Sequence, residues 1–236
     1  MIFVCGDTHN DYDVKKLTMK NWPEQKELTL DDFLIVLGDF GVPWSNDPDN
    51  RKDQYMINFY GQRRFTTLVI PGNHDNYERI FNLPEVEMFG NTVRRLWNNI
   101  FFLKRGEVYE INGKKIFTMG GGFSIDKARR KNRVSWWEEE IPSYFEMQRG
   151  LESLARYDNS VDYILTHTCS NVTFEKLNEF IILDYKLKGE EVLRKYFDEI
   201  ERKVDFKEWH FGHFHDDIVI DKKHFLHYNG KPFKLL

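Results

Sequence analysis

The segment Gly6-Asp7-Thr8-His9 follows directly on the apolar run of residues 2–5, and Gly38-Asp39 follows the run of residues 33–37 in the same way. Short runs rich in β-branched or aromatic residues that end in a Gly-containing polar loop are typical of buried strands. Three further loops of this kind are Gly72-Asn73-His74-Asp75, Thr166-His167 and Gly212-His213-Phe214-His215. Because α/β proteins build their sites at one edge of a sheet, we expect the five loops to lie together.

The first part of the chain alternates between strand-like and helix-like segments. Stretches that could form crossover helices lie at residues 13–20 and 49–64. The apolar runs lie at residues 2–5, 33–37, 67–70 and, later, 163–165. Strand followed by helix, repeated, predicts an α/β layer architecture.

The middle of the chain indicates a second sheet. Residues 100–103, 107–111 and 114–119 alternate in polarity around a hairpin at Asn112-Gly113, which is a type I′ turn signal. The capping-box spacing from Ser143 predicts a helix to about residue 157, and residues 189–203 predict another. Short strands are expected at residues 218–220, 225–228 and 233–235. These elements predict two mixed β-sheets packed face to face, with helices outside.

The composition limits the class of protein. The 236 residues include 34 Lys plus Arg and 38 Asp plus Glu, so the net charge of −4 provides no global basic field to gather nucleic acid. Cys5 and Cys169 are too few for a disulfide framework, which indicates a reducing compartment. There is neither an apolar run of about 18 residues to span a bilayer nor a signal-peptide pattern. We expect a cytoplasmic protein with one domain, residues 1–236, and no membrane contact.

The five loops carry the residue types of a metal site. Two Asp, four His and one Asn amide are enough to hold two divalent cations that share one carboxylate. Imidazole with carboxylate suits Mn²⁺, Fe and Zn²⁺, whereas Mg²⁺ and Ca²⁺ prefer oxygen ligands. No Cys pair has zinc-finger spacing, which argues against a structural zinc site. We therefore predict two divalent ions, with Mn²⁺ preferred and Fe or Zn²⁺ as alternatives.

The loops together make the series Asp-x-His, Gly-Asp, Gly-Asn-His-Asp, His and Gly-His-x-His, in order from Asp7 to His215. This series resembles the calcineurin-like metallophosphoesterase superfamily, in particular a bacterial and phage branch. The resemblance implies a four-layer α/β sandwich that hydrolyses phosphate esters. It also implies two sets of metal ligands joined by a bridging Asp39: Asp7, His9 and His215 for one ion, and Asn73, His167 and His213 for the other.

The resemblance further implies a mechanism in which His74 faces the substrate and binds no metal. Two ions would clamp the phosphoryl oxygens and lower the pKa of a bridging water, so that hydroxide attacks phosphorus in line with the leaving group. The catalytic residues would be Asp39, as the bridge, and His74, which would protonate the departing alkoxide or stabilise the transition state as imidazolium. Alternatively, His74 serves only as a hydrogen-bond donor behind the ligands.

The loop after Asp39 departs from the protein phosphatases of the superfamily. Val42 and Pro43 stand where those enzymes carry a His-orienting Asp and a phosphate-gripping Arg. Asp75 or Asp11 is a candidate for the first role. Without the Arg, we expect small phosphorylated metabolites or nucleotides as substrates rather than phosphoproteins.

Residues 120–142 are a candidate substrate loop that could supply the missing cation. The loop opens with three glycines, and five of the seven residues 127–133 are basic. We expect Ser124, Arg129 or Arg133 to reach a phosphate, since guanidinium matches phosphate in a bidentate fork. Trp136 or Trp137 would offer a stacking face. The alternative for most of these residues is a solvated charged loop.

Two other functions are compatible with the sequence. A phosphodiesterase or nuclease would act on cyclic nucleotides or single-stranded nucleic-acid ends, with the Trp136-Trp137 pair stacking on bases and nucleic acid bound only as substrate. A non-catalytic metal-binding scaffold would bind a partner through the same pair. His74 argues against the scaffold, because scaffolding does not require it.

Overall fold

The computed structural model describes residues 1–181 and 189–235 of the protein. In these residues the strands form two mixed sheets, with the orders β13-β1-β2-β3-β6-β5-β4 and β11-β12-β10-β9-β8-β7. The first sheet contains β1 (Ile2–Cys5), β2 (Phe33–Leu37), β3 (Thr66–Ile70), β4 (Glu85–Met88), β5 (Asn91–Trp97), β6 (Ile100–Leu103) and β13 (Phe233–Lys234). The second contains β7 (Glu107–Ile111), β8 (Lys114–Met119), β9 (Ser160–Thr166), β10 (Asp205–Phe211), β11 (Ile218–Val219) and β12 (His224–Leu226).

The helices begin at residues that can cap them. The Asn50 side chain accepts two backbone N–H groups of α1, and Ser143 and Glu146 form the predicted capping box at the start of α3. The α-helices described are α1 (Arg51–Gly61), α2 (Tyr77–Phe81), α3 (Tyr144–Ala155), α4 (Asn171–Leu177) and α5 (Glu191–Lys203). Short 3-10 helices lie at Val14–Leu17, Pro23–Glu27, Lys127–Arg129 and Glu138–Glu140. None of the helices in the described ranges combines the length and apolar character that crossing a membrane requires.

The two sheets pack face to face, because their strands are apolar on both sides. From β1, Ile2 and Val4 pack against residues of the second sheet such as Tyr163, whereas Phe3 and Cys5 face the opposite side, where α1 packs. The outer face of the second sheet packs on α3, α4 and α5. The layers are therefore helix, sheet, sheet and helix, which confirms the predicted mixed α/β sandwich.

Some sequence predictions of elements were wrong. The helix expected at residues 13–20 is only the 3-10 turn Val14–Leu17, because the backbone becomes extended at Thr18, with φ −74° and ψ 154°. Ile100–Leu103 pairs with β3 and so belongs to the first sheet, not to the second. The hairpin formed by β4 and β5 was not predicted from the sequence.

The register of the parallel strands brings the five polar loops to one edge. In the first sheet Cys5 pairs with Val36, and β3 runs parallel to β2. In the second sheet β9 and β10 are parallel neighbours. Backbone hydrogen bonds join adjacent loops directly: the His9 N–H donates to the Asp39 carbonyl over 2.8 Å, and the Gly212 N–H to the His167 carbonyl over 2.9 Å.

Candidate metal centre

Asp39 lies at the centre of the cluster, immediately after β2, and its carboxylate is 1% exposed. Its Oδ1 lies 3.3 Å from His167 Nε2 and accepts the His74 backbone N–H over 2.7 Å. Its Oδ2 lies 3.2 Å from His9 Nε2. The two oxygens therefore face two different groups of side chains, as a bridging ligand must.

The first group of side chains is Asp7, His9, Asp39 and His215, whose ligand atoms all lie within 4.8 Å of one another. Asp7 Oδ2 is buried and receives no well-aligned hydrogen bond from the described residues, although His215 Nε2 lies 3.2 Å away. His9 Nδ1 lies 2.7 Å from Asp13, which orients Nε2 towards the cluster. This donor set fits a divalent cation.

The second group is more deeply buried, and its lone pairs converge. His167 Nδ1 donates to the Leu37 carbonyl over 2.8 Å, so whenever the ring is neutral its lone pair lies on Nε2. That nitrogen lies 2.9 Å from Asn73 Oδ1 and 3.3 Å from Asp39 Oδ1, and both atoms are acceptors. A proton or a metal cation is needed where three lone-pair atoms meet, so this group also fits a metal.

His213 lies beside His167, next to the second group. The two rings are 4.9 Å apart between centroids. His213 Nε2 lies 3.5 Å from Glu190, a fully buried carboxylate that also binds Arg194 over 2.8 Å. Glu190 was not predicted as part of the site, because its position just before α5 gives no sign in the sequence of a neighbour after β10.

The ionisation of the cluster favours a bound cation. Burial opposes ionisation of Asp39, but the charges of His167 and His74 and a hydrogen bond from His9 hold its pKa well below the ordinary value. Burial likewise disfavours a charged His9, but Asp39 and Asp7 raise its pKa to about 9. The lowered pKa values of Asp7 and Asp39 favour their ionised forms, and a metal would replace the protons that His9 and His167, whose pKa values are raised, otherwise hold.

The backbone at these loops is held in uncommon conformations. The φ angles of His9, Asp39, His213 and His215 are 44°, 49°, 72° and 53°, in the left-handed region. For a residue with a side chain, this backbone conformation costs about 1 kcal/mol or more. Residues held in such conformations concentrate at functional sites. Gly38 has a φ of 101°, and a Cβ there would lie only 1.9 Å from His167 Nδ1. The surrounding fold therefore holds these side chains in place at the expense of local strain.

A cavity of about 430 Å³ adjoins the cluster beside His9 and His74. Arg130 lines it, with Nη2 lying 3.4 Å from His74 Nε2. The guanidinium is held in place by Asp126 at 2.6 Å from Nε and by the Ser135 carbonyl at 3.0 Å from Nη1. Arg130 was not predicted as a site residue, because nothing in the basic run of residues 127–133 distinguishes it from its neighbours.

The three residues predicted to reach a phosphate, Ser124, Arg129 and Arg133, lie outside the lining of this cavity. Ser124 is 1% exposed and bonded to Asn73 and Glu140. Among the residues described, neither Arg129 nor Arg133 lines the cavity, and Arg133 pairs with Glu139 over 3.4 Å. The described contacts of these three residues are therefore within the protein rather than in the cavity beside His74.

The stacking surface expected from the Trp pair is also not free. Trp137 is fully buried and packs edge-on against Trp44, with 5.3 Å between the ring centroids. Lys127 lies over one face of the Trp136 ring, with Nζ 4.0 Å from its centroid. Trp137 therefore offers no stacking face at the surface, whereas Trp136 is half-buried.

Asp75 binds backbone amides rather than His74. Its carboxylate accepts the N–H groups of Gly72 and Gly41, each over 2.7 Å, and is buried. Asp11, the other candidate for orienting His74, pairs with Lys52 over 2.8 Å at the surface. Asp75 therefore ties the loop after β3 to the loop after β2.

Replacing Asp75 with Asn should lower the free energy of unfolding of the metal-free protein by about 2 kcal/mol, because an amide NH₂ would meet buried N–H donors. The matched variant Asp11→Asn should cost less than about 1 kcal/mol, as exposed ion pairs do. Urea denaturation followed by circular dichroism measures both. Equal stability of the two variants would contradict the structural role of Asp75.

Comparison with known proteins identifies the family. No curated protein matches the chain. The model of the calcineurin-like phosphoesterase family matches residues 1–217, a range that includes all five loops of the cluster. That family implies metal-dependent hydrolysis of phosphoesters, in agreement with the donor set found at Asp7, His9, Asp39 and His215. The chain belongs to the calcineurin-like phosphoesterase family.

Proposed function

We propose that the protein binds two divalent cations and hydrolyses phosphate monoesters of small metabolites or nucleotides. The observation that carries this proposal is the buried Asp39 carboxylate, with one oxygen towards His167 and the other towards His9. Asp7, His9 and His215 would hold one ion, and Asn73, His167 and His213 the other. Mn²⁺ is the ion we propose, and Fe or Zn²⁺ suits the same nitrogen and oxygen donors.

When bound, two such ions supply a water of lowered pKa and positive charge opposite the phosphoryl oxygens. The protein's own contribution at the substrate is the pair of Arg130 and His74, whose nitrogens converge on the cavity. Arg130 Nη2 would donate to a phosphoryl oxygen, where a fixed cation stabilises developing charge. Asp126 holds the guanidinium in this orientation.

His74 Nε2 would transfer a proton to the leaving oxygen. Its backbone N–H is bonded to Asp39, which places the ring beside the metal cluster. Burial lowers the pKa of His74, and the charges of Arg130 and His9 lower it further. A phosphate anion between His74 and Arg130 would favour the protonated ring, so the acid would form when the substrate is bound.

The size of the cavity favours a substrate with a small leaving group. Its volume of about 430 Å³ falls within the range of small-molecule sites. Tyr12, Trp44 and Lys52 line its outer part, and Lys52 Nζ lies 5.0 Å from the centre of the Tyr12 ring. An aromatic wall beside a cation suits a nucleoside or another planar group.

The test is hydrolysis of p-nitrophenyl phosphate beside bis-p-nitrophenyl phosphate, by enzyme stripped with chelator and then returned to Mn²⁺. Metal-dependent turnover of the monoester, followed by a screen of nucleotides and sugar phosphates, would support the proposal. Preferred turnover of the diester would instead favour a phosphodiesterase. No turnover of either ester with Mn²⁺, Fe²⁺ or Zn²⁺ would favour the non-catalytic scaffold.

Replacing Arg130 with Ala should raise KM for the monoester about 10-fold or more, because a charge-assisted contact to phosphate is lost. Arg129→Ala is the matched control: it removes the same charge from the adjacent position, which does not line the cavity. Steady-state kinetics of both variants with p-nitrophenyl phosphate provides the comparison. Equal effects would show that the loop acts only through its general positive charge.

A further inference from the structure

Asn73 carries an amide whose two ends are not equivalent for a metal. Its Oδ1 faces His167 Nε2 at 2.9 Å, and its Nδ2 donates to Ser124 Oγ over 3.1 Å. Only the oxygen can act as a ligand, since an amide NH₂ has donors but no available lone pair. Something must therefore keep this side chain from turning by 180° about its last bond.

Ser124 and Glu140 account for that orientation by the direction of their hydrogen bonds. The Ser124 hydroxyl donates its single proton to Glu140 Oε2 over 2.6 Å, while Glu140 Oε1 accepts the Ser124 backbone N–H over 3.3 Å. With its proton committed to Glu140, Ser124 Oγ can only accept from Asn73. A flipped amide would turn its oxygen towards the Ser124 oxygen and its NH₂ towards the metal cluster.

The arrangement is enclosed by the fold. Asn73, Ser124 and Glu140 are 3%, 1% and 1% exposed, so bulk water cannot substitute for a lost partner. The loop that carries Ser124 approaches closely, because a Cβ on Gly122 would lie 3.3 Å from Asn73 Oδ1 and 3.1 Å from the His167 ring. The glycines of residues 120–122 thus bring Ser124 against the metal ligands rather than against a substrate.

We propose that Ser124, held by Glu140, is a positioning residue that fixes the Asn73 amide with its oxygen towards the second cation. This inference rests on the metal ligands proposed above. Residues that orient a metal ligand through a hydrogen bond are worth about 10-fold to 100-fold in metal affinity. Ser124→Ala should therefore lower the affinity for one of the two ions by about that factor. The affinity for the ion at Asp7, His9 and His215 should stay nearly unchanged.

The experiment is a Co²⁺ titration of the metal-free protein, followed by visible absorption and by calorimetry. The variants are Ser124→Ala, Glu140→Gln and, as a matched control, Ser153→Ala. Ser153 is a buried serine, 2% exposed, whose hydroxyl accepts the Val108 N–H. Weaker binding of one ion in the first two variants, with wild-type binding in the control, would support the proposal. Two ions bound with wild-type affinity in Ser124→Ala would overturn it and leave the proposed function intact.

A double-mutant cycle separates orientation from general loosening of the loop. In Asn73→Asp both ends of the side chain are oxygens, so its orientation no longer matters. Adding Ser124→Ala in that background should change the affinity for the second ion by less than about 3-fold. An undiminished loss would overturn the proposed role. Wild-type protein that binds no second ion would overturn the proposed metal ligands, and this inference with them.

Discussion

Replacing Asp39 with Asn is expected to lower kcat for p-nitrophenyl phosphate by about 1000-fold. The two carboxylate oxygens face His167 and His9, so the amide removes one charged ligand atom and the negative charge that both cations would share. The fold should survive, because Asn keeps the shape and an Oδ1 that accepts the His74 N–H. Elemental analysis should show fewer than two ions per chain.

The control for Asp39→Asn is Asp205→Asn. Asp205 is exposed at the first position of β10, at the opposite end of that strand from His213. The Asp205→Asn substitution removes the same charge from the protein without changing the cluster, so activity and metal content should stay at the wild-type level. If Asp39→Asn retained activity within 10-fold of wild type, Asp39 would not join the two metal sites.

Replacing His74 with Ala is expected to reduce kcat by roughly 100-fold or more with a phosphate ester of an aliphatic alcohol, as loss of a general acid does. His74 contacts Asp39 through its backbone, and its ring lines the cavity beside Arg130. The side chain is therefore removed without removing a proposed metal ligand. Metal stoichiometry by elemental analysis should remain that of the wild type.

The leaving group distinguishes the two roles of His74. If the ring protonates the departing oxygen, His74→Ala should lower kcat much less for p-nitrophenyl phosphate than for an alkyl phosphate, because p-nitrophenolate leaves without a proton. Stabilisation of the phosphoryl oxygens by imidazolium would instead give similar losses for both esters. A His74→Ala enzyme that retained wild-type kcat with the alkyl ester would exclude both roles.

The metal cluster could be predicted because each of its loops directly follows an apolar strand. Asp7, Asp39 and Asn73 follow β1, β2 and β3, and parallel strands carry their following loops to the same edge of a sheet. The order of residue types then matched a known motif series. Both signals are local in sequence, so neither required knowledge of how distant segments meet.

The substrate side could not be predicted in the same way. Several neighbouring residues at 127–133 are cationic, and the path of the loop decides which of them lies beside His74. Arg130 does so, whereas Arg133 turns to Glu139. Trp137 was expected at the surface but is buried on Trp44. An irregular loop has no periodicity that relates sequence position to direction, so composition alone could not assign these roles.

The sequence by itself determined the layered α/β fold, the family and the residue types of the metal cluster, because strand patterning and motif order are written in consecutive residues. Only the tertiary structure decided which cation faces the cavity, and that Ser124 and Glu140 hold Asn73 rather than a phosphate. Ser124 is 51 residues from Asn73 and 16 from Glu140. Hydrogen bonds between segments so far apart depend on how the loop packs against the sheet edge, which no local pattern encodes.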